Sequence, residues 1–193
     1  MKVEIKKELK IWVVYFGIVL LSVFIHELGH SIMSWIHGYM SVPTPAKEYA
    51  LEIIPAHIQT YISLGGILGN LLFALGVFFL YLNSNFKYNS AILAGAIASP
   101  GIYTVRFILQ GRGHDETEFQ EAQSALGLSY SGHFLDWLFL VLFLAGILIW
   151  YFRSKPNYGI LLRLALGFML TFIFLIGLQK LNNAASLVLM VVR

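Results

Sequence analysis

The chain contains no cysteine, and only 12% of its residues are charged. The absence of cysteine excludes disulfide bonds, thiolate metal ligands and a cysteine nucleophile, so only histidine, aspartate or glutamate could hold a metal ion. The charged fraction is about half of what is usual in soluble proteins. Hydrophobic residues make up 58% of the sequence, and the mean hydropathy is +0.74. This composition predicts a polytopic membrane protein in contact with the lipid bilayer.

Basic residues are few, and they flank the apolar blocks. The formal net charge is +3, and lysines and arginines in such positions act as topology signals and contact phospholipid head groups. The sequence has no basic stripe interleaved with aromatic residues, so we expect no nucleic-acid partner. The lysines that precede the first apolar block favour a cytoplasmic N-terminus.

Long apolar runs divide the sequence into stretches that could cross a membrane. About 20 apolar residues in a helix span the roughly 30 Å of hydrocarbon in a bilayer. A further apolar piece, residues 184–192, is too short to cross by itself. We predict an all-α polytopic membrane protein with five transmembrane helices, or six if this last piece also inserts. The five stretches are residues 11–35, 60–82, 90–110, 134–152 and 159–178.

Two polar connections interrupt this pattern. We expect the first helix to end at Gly38. Residues 38–59 carry three prolines, which break helices, so we expect a re-entrant or edge-strand connection after the first span. Residues 111–132 combine glycines with a cluster of acidic residues. We expect the third span to end there and a short polar helix to form over about 116–125.

The first predicted span contains HELGH, residues 26–30. Residues four apart on a helix point the same way, so His26 and His30 can bind one ion while Glu27 faces it. HExxH is a zinc-binding pattern in which the glutamate is the general base that activates water. The alternative is a polar cluster paired across a helix bundle. Ionisable groups inside a membrane are costly and usually serve a function, which favours the metal site.

A catalytic zinc ion has three protein ligands, so HELGH needs a partner from elsewhere in the chain. Asp115 in GHDE, residues 113–116, is the first candidate, because it belongs to a compact acidic cluster at the end of an apolar span. It could instead cap the helix that follows, since Glu118 stands three residues later. His114 and Glu116 are the next candidates for the third ligand.

Three other histidines and Asp136 have simpler explanations. His37 lies too far along the first helix from His26 to share the ion, so we expect it at the entrance of the site. His57 fits an interfacial histidine. His133 and Asp136 lie about one turn apart and fit the capping of the fourth span.

HELGH in a first transmembrane helix resembles the site-2 protease family of intramembrane zinc metalloproteases. A second stretch, GGILGN at residues 65–70, is similar to the family's pattern of Gly, Pro, two variable residues and Asn, with Ile67 in place of the proline. The resemblance implies that Asn70 orients or polarises the substrate; an interhelical hydrogen bond is the alternative. The family's third ligand lies in an Asp-Gly pair that this chain lacks, and Asp115 takes its place in chain order.

The resemblance covers about residues 11–125. Because no polar segment is long enough to fold separately, we expect a single membrane-embedded domain, residues 1–193, which the resemblance implies is a metalloprotease. The catalytic core would be 11–125, with additional helices over about 133–193. The resemblance implies one Zn²⁺ per chain and cleavage of peptide bonds in or next to transmembrane segments of a membrane-protein or peptide substrate. We expect a prokaryotic cell membrane as its location. The family's site opens toward the cytosol, whereas the lysine bias puts that end of the first span outside, so the sequence leaves orientation open, as it does the oligomeric state.

A substrate helix must unwind locally before it can be cut, because its peptide bonds are shielded by hydrogen bonds. The connection over 38–59 could hold such a segment extended by adding it to an edge strand. Two other function classes compete with proteolysis. A non-catalytic zinc-binding homologue that binds or regulates a membrane partner has no use for Glu27. A metal transporter or sensor would carry histidine or aspartate along several spans, and these spans are otherwise nearly free of both.

Overall fold

Helices form most of the molecule, as the composition predicts. The structure is a computed structural model, and it describes residues 2–45, 47–83, 88–110, 114–128 and 133–191. These residues form an all-α fold with one small two-stranded sheet. Its elements are, in chain order, α1 (Lys2–Ile36), β1 (Ser41–Pro43), β2 (Glu48–Ala50), α2 (Ala56–Asn83), α3 (Asn89–Gln110), α4 (His114–Ala125), α5 (His133–Ser154) and α6 (Tyr158–Val191).

Four of the helices are long and apolar enough to cross a membrane, and they are compatible with an integral membrane protein. α3 covers the remaining predicted stretch, and Asn89–Ala98 is a shorter apolar segment within it. The apolar piece at 184–192 continues α6 as far as Val191 and forms no separate helix. The prediction of five spans stays a prediction. The four long apolar segments are Ile5–Ile36, Ala56–Asn83, Asp136–Ser154 and Tyr158–Leu178.

α1 ends in a Schellman motif at Gly38. The φ angle of Gly38 is +83°, in the left-handed region that glycine adopts without a Cβ clash. The N–H of Tyr39 donates to the carbonyl of Ser34, and the N–H of Gly38 donates to the carbonyl of Trp35, each at 3.0 Å. These bonds satisfy carbonyls that the helix end leaves unpaired. The chain then turns back into the connection, next to the glycine at which the sequence predicts the end of the helix.

The connection after α1 contains strands, which is one of the two alternatives that the sequence leaves open for it. β1 and β2 form an antiparallel hairpin, and both strands contact α1. The polar helix predicted over 116–125 is also confirmed, since α4 begins at His114 and ends at Ala125. Gly127, with a φ angle of +73°, terminates α4 in the same way as Gly38 terminates α1. The two polar connections therefore carry a hairpin and a short helix at the edges of the apolar bundle.

Glycines bring α1 and α2 into direct backbone contact. A Cβ atom on Gly29 would meet the backbone of Gly65, and a Cβ atom on Gly65 would meet Gly29 and the side chain of Met33. A Cβ atom on Gly69 would lie 2.8 Å from the carbonyl oxygen of Ile25. Small residues allow helices to approach this closely in lipid, where van der Waals packing drives helix association. The GGILGN stretch of α2 therefore packs directly on the HELGH stretch of α1.

Other helices pack against this pair. The hydroxyl groups of Tyr15 and Thr171 lie 2.7 Å apart and are buried, so they join α1 to α6. Ile67 of α2, Phe119 of α4 and Phe139 of α5 form one buried apolar cluster. This cluster fixes the short polar helix α4 beside the α1–α2 pair.

Replacing Gly65 with alanine should destabilise the protein by about 1–3 kcal/mol, because the added methyl group overpacks the contact between α1 and α2. The free energy of unfolding in detergent micelles would measure this. Gly76→Ala is the matched control in the same helix, since a Cβ atom there meets nothing within 4 Å. Alanine should be neutral or stabilising at that position. Equal destabilisation by the two variants would contradict the importance of the glycine contact.

Candidate metal centre

His26, His30 and Asp115 form a buried cluster of ligating side chains. Their exposed fractions are 4%, 7% and 6%. One ligand atom from each residue lies within 4.8 Å of the other two. This group could hold a metal ion. The structure thus brings Asp115, the first sequence candidate for the third ligand, beside both histidines.

The distances between the ligand atoms of the group suit a small ion with tetrahedral coordination. The Nε2 atoms of His26 and His30 lie 3.1 Å apart. Oδ2 of Asp115 lies 3.0 Å from Nε2 of His26, and Oδ1 lies 3.9 Å from Nε2 of His30. Around a zinc ion with bonds of about 2.0–2.1 Å, neighbouring ligand atoms lie about 3.3 Å apart. Two imidazoles and one carboxylate are a donor set that zinc binds, so the residues fit this ion.

Asp115 reaches the histidines because α4 is anchored one turn further along. Phe119 of α4 is buried against Ile67 of α2, and Asp115 lies in the first turn of the same helix. The contact of its carboxylate with both imidazoles favours the ligand role over capping alone. His114 and Glu116 belong to the backbone of α4, but their side chains lie outside what the structure describes, so their candidacy stays a prediction.

The carbonyl of Ile62 sets the orientation of His30. Nδ1 of His30 donates to this carbonyl oxygen at 2.6 Å. A neutral imidazole has one N–H group, so Nε2 keeps its lone pair on the side that faces His26 and Asp115. Metal-binding histidines are commonly held by such a bond from the other ring nitrogen. Because Ile62 lies on α2, the close approach of α2 to α1 also orients this ligand.

Gly66 leaves the space that the two imidazoles occupy. A Cβ atom at this position would meet the ring of His30 and would lie 2.8 Å from Cε1 of His26. Gly65, one residue earlier, touches the backbone of α1. The two adjacent glycines thus have different roles: Gly65 lets the helices touch, and Gly66 makes room for the ligands.

Asn70 lies fully buried behind His26. Its amide nitrogen is 3.1 Å from Nδ1 of His26, and its amide oxygen is 3.3 Å from the hydroxyl of Ser22. Metal binding through Nε2 puts the ring proton of His26 on Nδ1, which then needs an acceptor. If the side-chain amide of Asn70 rotates by about 180°, its oxygen accepts from Nδ1 of His26. The amide nitrogen then donates to the hydroxyl oxygen of Ser22. Asn70 is therefore suited to orient His26, and the substrate contact implied by the family resemblance stays a prediction.

Glu27, next to the first ligand in the chain, contacts the hairpin. Its Oε2 atom accepts a hydrogen bond from the backbone N–H of Glu48 in β2 at 2.7 Å. The carboxylate of Glu48 in turn accepts from the hydroxyl of Ser34 at 2.7 Å. Strand β2 is thus fastened to α1 at the residue that the motif predicts as the general base.

The remaining sequence candidates lie apart from the ligating group. His57 is exposed, and the ring of His37 stacks on that of Tyr61 with a centroid distance of 5.1 Å. Asp136 is buried, but within the described part of the chain it does not join the three ligating residues. The side chain of His133 lies outside the described residues.

Tyr103 of α3 is a member of the site that the sequence motifs do not indicate. Its hydroxyl oxygen lies 3.1 Å from Nε2 of His26. The centroids of the two rings are 5.6 Å apart. A single tyrosine within an apolar stretch gives little signal, because tyrosine is also common in cores and at membrane interfaces.

Comparisons of the chain with protein-family models, with curated proteins and with solved structures found no match. The function must therefore be inferred from the site itself. Its informative features are the buried ligating group, the glutamate beside it in the chain and the strand fastened to that glutamate.

Replacing Asp115 with asparagine should weaken zinc binding by at least about 100-fold. An uncharged amide is a poorer ligand than a carboxylate, and even partners that only orient a ligand contribute 10-fold to 100-fold. Competition with a chromophoric chelator in detergent would measure the affinity. Asp136→Asn is the matched control, since it removes another buried carboxylate outside the group. Unchanged affinity in Asp115→Asn would exclude Asp115 as a ligand.

Proposed function

We propose that this protein is a zinc-dependent intramembrane endopeptidase, which hydrolyses peptide bonds in or next to transmembrane segments of membrane proteins. The proposal is supported above all by the ligating group of His26, His30 and Asp115, since two of its members lie in a helix apolar enough to cross a bilayer. Three ligating side chains leave a fourth position, as in catalytic zinc sites. We propose one zinc ion per chain and, on the family resemblance alone, a prokaryotic cell membrane as the location.

The residues of the site can share the chemistry of peptide hydrolysis. A zinc ion held there would polarise the scissile carbonyl and promote the ionisation of a water molecule. Glu27 would take a proton from the attacking water as the new carbon–oxygen bond forms. It would then give that proton to the amide nitrogen as the carbon–nitrogen bond breaks. Ile62 and Asn70 would hold the imidazoles of His30 and His26 in the orientation that ligation requires.

The presence of Glu27 favours catalysis over a protein that only binds zinc. The glutamate of HExxH is a base and not a metal ligand. Glu27 is half-buried, and a carboxylate in an apolar helix is costly unless it has a role. A zinc-binding protein that only recognises a membrane partner would gain nothing from this cost.

The outer edge of β2 faces Glu27. Thr44 donates its N–H to the carbonyl of Lys47, which makes this a hydrogen-bonded pair of the hairpin. Hydrogen-bonded and non-hydrogen-bonded pairs alternate along an antiparallel ladder. The next pair, Pro43 with Glu48, is therefore not hydrogen-bonded, and Glu48 turns its N–H and carbonyl away from β1. The bond from this N–H to Glu27 agrees with that geometry.

A substrate strand added to this edge would pass directly by Glu27. Addition of an extended peptide to a strand edge supplies main-chain hydrogen bonds without requiring a particular sequence. A transmembrane segment that unwinds locally could take up the N–H of Glu48, and this would release Glu27 for its role as base. The proposed substrate is thus a membrane-spanning segment with a local break in its helix.

Glu27→Gln should keep zinc affinity within about threefold and lower the cleavage rate by roughly 10²-fold to 10⁴-fold, the usual contribution of a general base. Single-span peptides with a Gly-Pro pair in the span, reconstituted with the protein in liposomes, would serve as substrates. Glu52→Gln is the control, because Glu52 is an exposed carboxylate beside the hairpin. Cleavage by Glu27→Gln at the wild-type rate would refute the proposed function, as would failure of the zinc-loaded wild type to cleave any of these peptides.

Glu48→Pro should lower cleavage of the same peptides about 10-fold, because proline has no N–H to offer a substrate strand or Glu27. Proline is tolerated at outward-facing edge positions, so the hairpin should persist. Glu48→Ala is the matched control: it keeps the N–H, loses only the side-chain contact with Ser34, and should cleave within about threefold of the wild type. Equal rates for the two variants would show that the edge of β2 does not present the substrate.

A further inference from the structure

Three polar atoms of the described residues lie at nearly equal distances from the Nε2 atom of His26. Nε2 of His30 lies at 3.1 Å and Oδ2 of Asp115 at 3.0 Å. The third neighbour is the hydroxyl oxygen of Tyr103, at 3.1 Å. Two of these atoms belong to the ligating group, whereas the third belongs to a phenol, which is not among the usual ligands of zinc. Because Nε2 is the atom of His26 that would face the ion, the hydroxyl of Tyr103 lies on the side of the imidazole where the ion would be held.

Packing that also supports Asp115 holds the ring of Tyr103. The ring stacks on Phe139, with centroids 6.0 Å apart and an angle of 21° between the planes. Phe139 is 3% exposed and packs in the same cluster as Phe119 of α4. The same apolar cluster thus supports Tyr103 through Phe139 and Asp115 through Phe119.

A hydrogen-bond donor close to the ion would assist peptide hydrolysis. As water adds to a peptide carbonyl, negative charge develops on the carbonyl oxygen, and a donor held toward that oxygen stabilises the transition state. The family resemblance would assign a supporting role to Asn70. Its amide, however, is occupied with Nδ1 of His26 and the hydroxyl of Ser22, on the far side of the imidazole. A neutral phenol has one O–H to donate and suits the task.

We infer that Tyr103 is a catalytic residue whose hydroxyl donates a hydrogen bond to the oxygen of the scissile carbonyl as that oxygen becomes negatively charged. The inference rests on the proposed function. Tyr103 keeps its proton throughout. The negative charge returns to the carbonyl when the carbon–nitrogen bond breaks and Glu27 delivers its proton to the leaving nitrogen.

Tyr103→Phe in the full chain tests this, because it removes only the hydroxyl oxygen. We expect zinc affinity within about threefold of the wild type, a decrease in kcat of roughly 10²-fold and a KM within about twofold. A phosphinic peptide with the sequence of a cleaved substrate carries a tetrahedral, negatively charged group in place of the scissile bond. Its affinity should fall by about the same factor as kcat/KM, since it mimics the transition state. Tyr61→Phe, which removes an exposed tyrosine hydroxyl beside His37, should change none of these quantities.

A second variant tests whether the hydroxyl of Tyr103 must be held in place, and not only be present. Phe139→Leu keeps the phenol but removes the ring on which it stacks, so kcat measured at saturating zinc should fall by less than in Tyr103→Phe. A decrease in zinc affinity of 10-fold or more in Tyr103→Phe would show that the phenol is a metal ligand and would overturn the inference. Wild-type kcat in Tyr103→Phe would overturn it too, while leaving the proposed function intact. Wild-type cleavage by Glu27→Gln would instead refute the proposed function itself.

Discussion

The contact between the backbones of α1 and α2 at Gly29 and Gly65 is the constraint on which the site depends. At this separation the carbonyl of Ile62 reaches His30 and the amide of Asn70 reaches His26. Helices in lipid gain little from apolar burial against each other, so close packing of small residues is an effective way to hold them together. The glycines therefore serve both the stability of the helix pair and the geometry of the ligands.

Polar groups within this apolar bundle are tolerated because they meet partners. The imidazoles and Asp115 meet one another, and the carboxylate of Glu27 accepts from the hairpin. Each of these groups would be costly alone in hydrocarbon. The arrangement also couples the parts of the site, since the same carboxylate that would act as base fastens the strand that would present a substrate.

The apolar cluster of Ile67, Phe119 and Phe139 connects three helices beside the candidate metal centre. It joins α2, α4 and α5, so the fourth and fifth helices contribute to a site whose motif lies in the first. Asp115 depends on it through α4, and Tyr103 depends on it through its stack on Phe139. Helices that carry no recognisable motif thus support the residues of the site.

The sequence by itself determined the features that depend on local order. The apolar runs predict the helices, and the four-residue spacing of His26 and His30 puts them on one face. Gly38 marks the end of α1. Residues a few positions apart decide helix formation and helix ends, so the sequence alone is sufficient for these predictions. Composition also indicates the membrane class. How many of the helices cross the bilayer stays a prediction.

Only the tertiary structure decided which distant groups meet. It brought Asp115 to the histidines, directed Asn70 to the back of His26 and added Tyr103, which no motif indicates. These contacts follow from how helices cross and which side chains interlock between them. The spacing of residues along one helix does not predict such packing between helices.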